Sequence, residues 1–233
     1  MQSLIDGLNV LENQYKSLDL DIGTIEGLKK MPVDIFDGIY LGKVFNNALS
    51  LCVDVRNFSI FLSTQKEDVV FKLIKEFTSN LLSCINQFGY GCSYYKFLGD
   101  GVLVIWDEAS EDTINEALYV FDTYTEFLGE ELFKPYEGLG LGGALVEEKV
   151  FKYEISAEIA QLKYRDYVGY GANLACRLQG LAGIDKLIIN EKLAQTRGVP
   201  FSVDESPEMV KQLKAMKGLK EEDRHRVLFY SKQ

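Results

Sequence analysis

The order of apolar patterns along the first two thirds of this 233-residue chain restricts its fold more than any other feature. The run ALSLCVDV at 48–55 predicts a buried strand, and a one-sided helical pattern follows it. Two strand patterns then flank the turn GDG at 99–101, which predicts a β-hairpin. A second helix begins at Ser110, and the Gly-rich strand GLGLGGALV at 138–146 ends the series. The order β-α-β-β-α-β predicts a ferredoxin-like α+β core whose helices pack on one face of a mainly antiparallel sheet.

The first helix is predicted with a capping box at Thr64–Glu67 and an end at Gly89. Its apolar face would comprise Val70, Leu73, Ile74, Phe77, Leu81, Cys84, Ile85 and Phe88. A charged segment at 149–166 separates this core from the last quarter of the chain. Four further elements are predicted there: a helix at 170–182, a strand at 185–190, a short helix at 191–196 and a strand at 224–230.

The length suits one large domain. Residues 1–45 mix short apolar clusters with acidic and glycine-containing turns, and Pro32 interrupts them. We therefore expect a lead segment of short helices at 1–45 that packs on a single domain at 46–233.

Charge and cysteine usage narrow the class of function. With 25 basic and 35 acidic residues the net charge is −10, which argues against nucleic acid or an anionic membrane surface as partner. The N-terminus lacks the basic and apolar stretches of a signal peptide, and no long apolar run could span a membrane, so we expect a cytoplasmic protein. The four cysteines lack CxxC spacing, which indicates reduced thiols. The single histidine, His225, argues against a His-based metal site or a Ser-His-Asp triad.

Two aspartates lie where the predicted topology would bring them together. Asp54 ends the first strand, where it could simply cap a turn, and Asp100 lies in the GDG turn, where Asp-Gly alone would favour a hairpin. Because the first strand pairs beside the hairpin, its end and the hairpin tip can converge. Two close carboxylates favour Mg²⁺ or Mn²⁺ between them, and such a pair can hold two cations roughly 3.5–4 Å apart.

Asn173 and Arg177 are four residues apart and so share one face of the predicted helix at 170–182. The opposite face is apolar, with Leu174, Ala175, Leu178 and Leu181. The polar face is either an ordinary solvated surface or a surface that directs a guanidinium at a phosphate.

Three segments, VDVRNFS, KFLGDGVLV and DYVGYGANLACRLQGLA, resemble in order and spacing the hallmark segments of the class III nucleotidyl cyclase catalytic domain. The resemblance implies that Asp54 and Asp100 bind two divalent cations, Mn²⁺ or Mg²⁺, with the Val55 carbonyl nearby. It also implies that Asn173 orients the ribose and that Arg177 stabilises the transition state.

The resemblance covers about residues 47–231 and extends to the base and the triphosphate. It implies that Lys96 and Asp166 read the base, and that Lys217 or Lys220 binds the triphosphate. In this family the active site forms in a head-to-tail dimer, so the resemblance implies a homodimer with two composite sites. The two aspartates of one chain would face the base-reading residues, the Asn and the Arg of the other.

The implied reaction converts a nucleoside triphosphate into a 3′,5′-cyclic nucleotide and pyrophosphate. A Lys donor and an Asp acceptor match the pairing edges of adenine, cytosine and uracil alike. Pocket depth would have to select ring size, and four aromatic residues crowd the two base-reading segments: Tyr95, Phe97, Tyr167 and Tyr170. Each of these also suits ordinary strand and core packing.

The first motif departs from the family pattern, because Arg56 and Asn57 precede Phe58 where the pattern has Gly before the Phe. This variant, in a short chain without a sensor domain, resembles the pyrimidine cyclases of bacterial antiphage systems. That likeness implies cyclic UMP or cyclic CMP as a second messenger for a separate effector protein. The alternatives are an adenylate cyclase, and a catalytically inactive homologue that serves in dimerisation or nucleotide sensing.

Overall fold

The computed structural model describes residues 38–157 and 162–232. They divide into two compact units, a larger one of residues 44–151 and 167–232 and a smaller one of residues 38–43, 152–157 and 162–166. Most of the predicted lead segment at 1–45 lies outside the described residues, and its boundary stays a prediction. No helix of the described part is both long and apolar enough to cross a membrane.

The strands of the described part are β1 (Gly38–Arg56), β2 (Tyr94–Phe97), β3 (Gly101–Trp106), β4 (Gly140–Ala157), β5 (Leu162–Val168), β6 (Lys186–Ile189), β7 (Phe201–Asp204) and β8 (Val227–Tyr230). Its α-helices are α1 (Phe58–Thr64), α2 (Glu67–Phe88), α3 (Glu111–Phe127), α4 (Tyr170–Leu178), α5 (Glu191–Arg197) and α6 (Pro207–Ala215). A π-helical turn follows α3 at Leu128–Leu132, and a 3₁₀ turn follows α4 at Gln179–Leu181.

The strands form one sheet in the order β2-β3-β1-β4-β6-β8-β7, and β5 pairs with β4. β1 and β3 run antiparallel, with Leu49 opposite Trp106 and Asp54 opposite Gly101. β4 and β6 run parallel, with Gly142 opposite Lys186. The predicted fold class, an α+β fold with a mainly antiparallel sheet, is confirmed.

Successive side chains of each strand point to opposite faces of the sheet, and each face forms its own hydrophobic core. One face of the sheet packs against α2 and α3, through Leu49, Leu51, Val53, Val102 and Val104 on the strands and Leu73, Phe77, Leu81, Ala117 and Phe121 on the helices. The other face packs against α4 and α6, through Cys52, Leu103, Ile105, Ala144 and Ile188 on the strands and Leu174, Ala175, Leu178 and Leu213 on the helices. The prediction that helices pack on one face of the sheet holds for α2 and α3 but is wrong for α4 and α6, whose apolar residues cover the opposite face.

The two long helices differ in how their N-terminal ends are capped. α3 begins as predicted at Ser110, whose hydroxyl accepts from the Thr113 amide while Thr113 caps the Ser110 amide. The predicted capping box at Thr64–Glu67 is wrong. α2 begins after Lys66 without a side-chain cap, and the Thr64 hydroxyl donates instead to the Ile60 carbonyl inside α1, at 3.0 Å.

Trp106, the single tryptophan of the chain, is fully buried at the end of β3. Its indole N–H donates to Glu116 Oε2 on α3 at 2.8 Å, and the same oxygen accepts from the Gly91 amide at 3.1 Å. This carboxylate ties β3, α3 and the loop before β2 together, which fixes the base of the hairpin.

The charged segment at 149–166 is largely strand, because β4 continues to Ala157 and β5 begins at Leu162. Within the smaller unit, Arg165 Nε donates to Glu154 Oε1 at 2.6 Å. Lys152 Nζ lies 3.5 Å from the same oxygen. Charged residues are common on solvated strands, so charge alone did not distinguish a strand from a loop here.

Candidate active site

Asp54 and Asp100 lie side by side at the end of β1 and the tip of the β2–β3 hairpin. The Val55 amide donates to the Asp100 carbonyl at 3.2 Å, and Asp54 is paired with Gly101 across the two strands. Main-chain pairing therefore fixes the distance between the two aspartates. We call Asp54, Val55 and Asp100 the carboxylate half of the candidate site.

The glycines of the GDG turn have separate roles. Gly99 has φ +79°, which a glycine adopts without strain. At Gly101 a Cβ atom would lie 2.5 Å from the Val53 carbonyl oxygen and 3.1 Å from Asp54 Oδ1. The second glycine thus lets β3 approach the strand end that carries Asp54.

The electrostatics of the carboxylate half favour a cation. Burial raises the pKa of Asp54, the Asp100 carboxylate raises it further, and the Arg56 guanidinium opposes both. Arg56 Nη1 lies 3.7 Å from Asp54 Oδ2. Two neighbouring carboxylates and a main-chain carbonyl are hard oxygen donors of the kind that Mg²⁺ and Mn²⁺ prefer. This donor set fits the divalent cations that the resemblance implies.

Within the described ranges, no group of three or more His, Cys, Asp or Glu side chains lies close enough together to hold a metal. Asp54 and Asp100 would therefore hold a cation together with donors of other kinds, such as the Val55 carbonyl and water. A cavity of about 290 Å³ adjoins Asp100 and is lined mainly by apolar side chains of α1 and α2: Phe58, Leu62, Leu73, Ile74 and Phe77.

Asn57 occupies the turn between β1 and α1 in a left-handed conformation, with φ 62° and ψ 15°. Glycine and asparagine are the residues that adopt this conformation most readily. Asn57 Nδ2 also donates to the Gly138 carbonyl at 2.7 Å. The departure from the family's Gly at this position therefore preserves the turn.

Asn173 and Arg177, which we call the helix half, lie on α4 as the spacing predicted. Asn173 is exposed, whereas Leu174, Ala175 and Leu178 are buried against the sheet. Arg177 Nη1 donates to the Gly218 carbonyl at 3.2 Å. Gly218 has φ +75°, and a Cβ atom there would lie within 3.0–3.2 Å of the guanidinium.

The two candidate triphosphate cations differ in their surroundings. Lys220 Nζ lies 3.2 Å from Glu148 Oε1, 3.5 Å from Glu222 Oε1 and 4.5 Å from the centre of the Tyr170 ring. Lys217 is exposed beside Gly218, the residue that accepts from Arg177. Lys217 has no such carboxylate contact within the described part of the chain.

The base-reading candidates fall in different units. Lys96 is half-buried on β2 in the larger unit, opposite Leu103. Asp166 is buried on β5 in the smaller unit, and its carboxylate accepts from the Tyr164 hydroxyl at 2.6 Å.

The four aromatic residues of the base-reading segments have different environments. Tyr167 is buried and donates to Asp107 at 3.0 Å, and Tyr170 donates to Asp223 at 2.5 Å. Tyr95 is 47% exposed, and its ring lies 6.4 Å from that of Phe97. Tyr167 and Tyr170 thus pack within the chain, which was the alternative to a role in forming the base pocket.

Among the described residues, no hydrogen bond or ion pair joins the carboxylate half to Asn173 or Arg177 directly. Arg56 supplies an indirect link, because its Nη2 donates to both the carbonyl and the side-chain Oε1 of Gln179. In the sequence, Arg56 is notable only as a departure from a motif, and no pattern identifies Gln179 as its partner.

Comparison with known proteins identifies the fold. No protein-family model and no curated protein matches the chain. Among solved structures, the adenylyl cyclase CyaB from P. aeruginosa superposes with a TM-score of 0.66 and 12% identity, over 82% of this chain and 98% of that one.

Two guanylyl cyclase structures give similar values. The guanylate cyclase domain of RhGC from Catenaria anguillulae, solved in complex with GTP, has a TM-score of 0.63 and 13% identity, over 82% of this chain and 100% of that one. The guanylyl cyclase Cya2 has a TM-score of 0.61 and 16% identity, over 82% of this chain and 93% of that one. The chain therefore has the fold of adenylyl and guanylyl cyclase catalytic domains.

Proposed function

We propose that this protein is a nucleotidyl cyclase that converts a nucleoside triphosphate into a 3′,5′-cyclic nucleotide and pyrophosphate. The observation that carries the proposal is the convergence of Asp54 and Asp100 at one end of β1 and the hairpin, in a chain with the cyclase fold. We assign the cyclase domain to 46–233 and the protein to the cytoplasm.

Different residues of the chain would have different roles in the reaction. Asp54, Asp100 and the Val55 carbonyl would hold two divalent cations, Mn²⁺ or Mg²⁺, which when bound lower the pKa of the ribose 3′-hydroxyl and hold the triphosphate. Asn173 would orient the ribose. Arg177 would offset the charge that develops on the oxygens of the α-phosphate.

The bond changes balance without a further reactant. The 3′-oxygen gives its proton to solvent water and forms a bond to the α-phosphorus, while the bond from that phosphorus to the bridging oxygen breaks. Pyrophosphate leaves with the electron pair. Lys217 or Lys220 would bind its phosphates, and the contacts of Lys220 with Glu148 and Glu222 favour Lys217.

A head-to-tail homodimer would complete the site. The carboxylate half of one chain would face the helix half of its partner, together with the partner's base-reading pair, Lys96 and Asp166. The absence of a direct contact between Asp54 or Asp100 and Arg177 in the described part of one chain supports this arrangement.

For the substrate we propose a pyrimidine nucleotide, UTP or CTP. The product, cyclic UMP or cyclic CMP, would act as an antiphage second messenger on a separate effector protein. The likeness of the segment from Asp54 to Ser59 to pyrimidine cyclases supports this choice. The Lys96 and Asp166 pair supports adenylate cyclase as the second candidate, because a donor and an acceptor also match adenine.

The deciding experiment incubates the purified protein with Mn²⁺ and each of the four ribonucleoside triphosphates, and identifies cyclic products by mass spectrometry. Cyclic UMP or cyclic CMP is the expected product. Cyclic AMP alone would replace the pyrimidine assignment with the adenylate one. A chain that makes no product from any triphosphate would be an inactive homologue that binds nucleotide or dimerises.

A further inference from the structure

Arg56 connects the strand of the carboxylate half to the helix that carries the helix half. It ends β1 two residues after Asp54, and its Nη1 lies 3.7 Å from Asp54 Oδ2. Its Nη2 donates to the carbonyl and to the Oε1 of Gln179, which begins the 3₁₀ turn two residues after Arg177. One guanidinium thus contacts chain segments adjacent to both halves.

The position of this guanidinium is tightly defined by its surroundings. The Arg56 side chain is only 17% exposed, and it lies against Gly142 on β4. A Cβ atom at Gly142 would lie 2.1 Å from Nε and 2.6 Å from Nη2. A glycine therefore provides the space that the guanidinium occupies, and no larger residue could be accommodated without displacing it.

The same contact has an energetic cost. Arg56 Nε is buried and has no hydrogen-bond acceptor among the described residues. A buried donor without a partner destabilises a fold, because the water that it bonded in the unfolded chain is not replaced. A contact made only for stability would more readily use an apolar pair at this position, so the geometry favours a role in holding the two segments in register.

We propose that Arg56 is a positioning residue that fixes the end of β1 against the end of α4, and through them Asp54 and Arg177. This inference rests on the proposed function. In a head-to-tail dimer, Asp54 and Arg177 of one chain belong to different active sites. Arg56 would then connect the metal-binding side of one site to the transition-state side of the other.

Arg56→Lys tests the positioning role, because a lysine keeps the charge but cannot contact Asp54 and both acceptors of Gln179 at once. Gly142→Ala tests the same contact without changing Arg56, since the methyl group occupies the place of the guanidinium. The matched control is Arg226→Lys, which alters a two-point arginine contact to Glu191 outside the candidate site.

Amide hydrogen exchange gives a readout that needs no turnover. We expect exchange in the peptide spanning 170–181 to rise several-fold in both test variants and to stay unchanged in Arg226→Lys. Unchanged exchange in Arg56→Lys would overturn the proposal. This outcome is distinct from failure of the proposed function, in which the unmodified chain makes no cyclic product.

Mixed dimers then test whether Arg56 serves both halves. Arg56→Lys is placed first on an Asp100→Ala chain and then on an Arg177→Ala chain, each paired with the other inactive chain so that one composite site survives. In the first arrangement the variant chain supplies the helix half of that site, and in the second it supplies the carboxylate half.

We expect kcat to fall about 10–100-fold in both arrangements, the range found for residues that orient metal ligands. A loss confined to the second arrangement would limit Arg56 to Asp54 and overturn the connecting role. A kcat loss matched in the Arg226→Lys control, or explained entirely by unfolding at the assay temperature, would also overturn it.

Discussion

Different kinds of contact hold the two halves of the candidate site in place. In the carboxylate half, main-chain pairing between β1 and β3 sets the positions of the aspartates, and Gly101 allows the close approach. In the helix half, Asn173 is exposed, and among the described residues Arg177 donates one hydrogen bond, to the Gly218 carbonyl. Main-chain pairing thus fixes the carboxylate half within one chain, whereas under the proposed function substrate and a partner chain would complete the helix half.

Removal of a carboxylate should have the largest effect on catalysis. We expect Asp54→Ala and Asp100→Ala each to lower cyclic nucleotide formation by about 1000-fold or more, because metal-based charge stabilisation contributes several kcal/mol. Product yield by mass spectrometry and the thermal unfolding midpoint measure activity and fold separately. Asp68→Ala, on the exposed first turn of α2, is the control that should keep full activity. Activity retained by either test variant would contradict the two-metal assignment.

Loss of the helix half should be severe but somewhat smaller. We expect Arg177→Ala to lower kcat by about 100–1000-fold, the usual effect of removing one donor to a developing charge. An equal mixture of Arg177→Ala and Asp100→Ala chains should recover roughly a quarter of the unmodified activity, because half the dimers are mixed and each has one intact site. If the chains exchange and no activity returns, the two halves do not meet across a dimer interface.

Crowding at the hairpin should cost stability as well as activity. A Cβ atom at Gly101 would lie 2.5 Å from the Val53 carbonyl oxygen, so Gly101→Ala must displace β3 from β1. We expect a loss of about 1–3 kcal/mol in the free energy of unfolding, measured by urea denaturation. Gly129→Ala is the matched control, since among the described residues no atom beyond its chain neighbours and its own helical backbone lies within 4 Å of a Cβ there. Equal stability of the two variants would show that strand pairing does not fix the carboxylate half.

The smallest change is expected at the turn that follows Asp54. Asn57→Gly keeps the left-handed backbone and loses only the side-chain hydrogen bond to Gly138, so the free energy of unfolding should change by less than about 1 kcal/mol. Asn57→Val should destabilise by about 1–3 kcal/mol, because a β-branched residue is strained at this φ. If Asn57→Gly alters the base preference in the four-triphosphate assay, the asparagine has a role beyond the turn.

Elements whose apolar side chains are buried could be predicted from the sequence, and elements whose apolar side chains are mostly exposed could not. The hairpin and α2 were predicted from their apolar residues. Most of the apolar face predicted for α2 is buried, but Ile74 is 41% exposed and does not belong to the core. β7 was not predicted because Phe201 and Val203 are exposed, and α6 was not predicted because Leu213 is its one fully buried residue. Ser206 and Pro207 are a helix-start signal that could have identified α6.

The candidate site also has one part that the sequence could predict and one part that it could not. The meeting of Asp54 and Asp100 follows from topology, since strand order alone brings a strand end to a hairpin tip. The contact from Arg56 to Gln179 joins residues 123 positions apart and depends on the free space over Gly142. No local pattern encodes such a contact, because packing in three dimensions decides where a long side chain points.

The burial of Trp106 gives the chain an optical reporter at a useful place. Because the sequence has no other tryptophan, its emission comes from one indole at the end of β3, the strand that begins at Gly101. Water would reach this indole only when β3 separates from α3. The wavelength of maximum tryptophan emission should therefore distinguish a folded variant that lacks only a carboxylate from a variant in which the hairpin has unfolded.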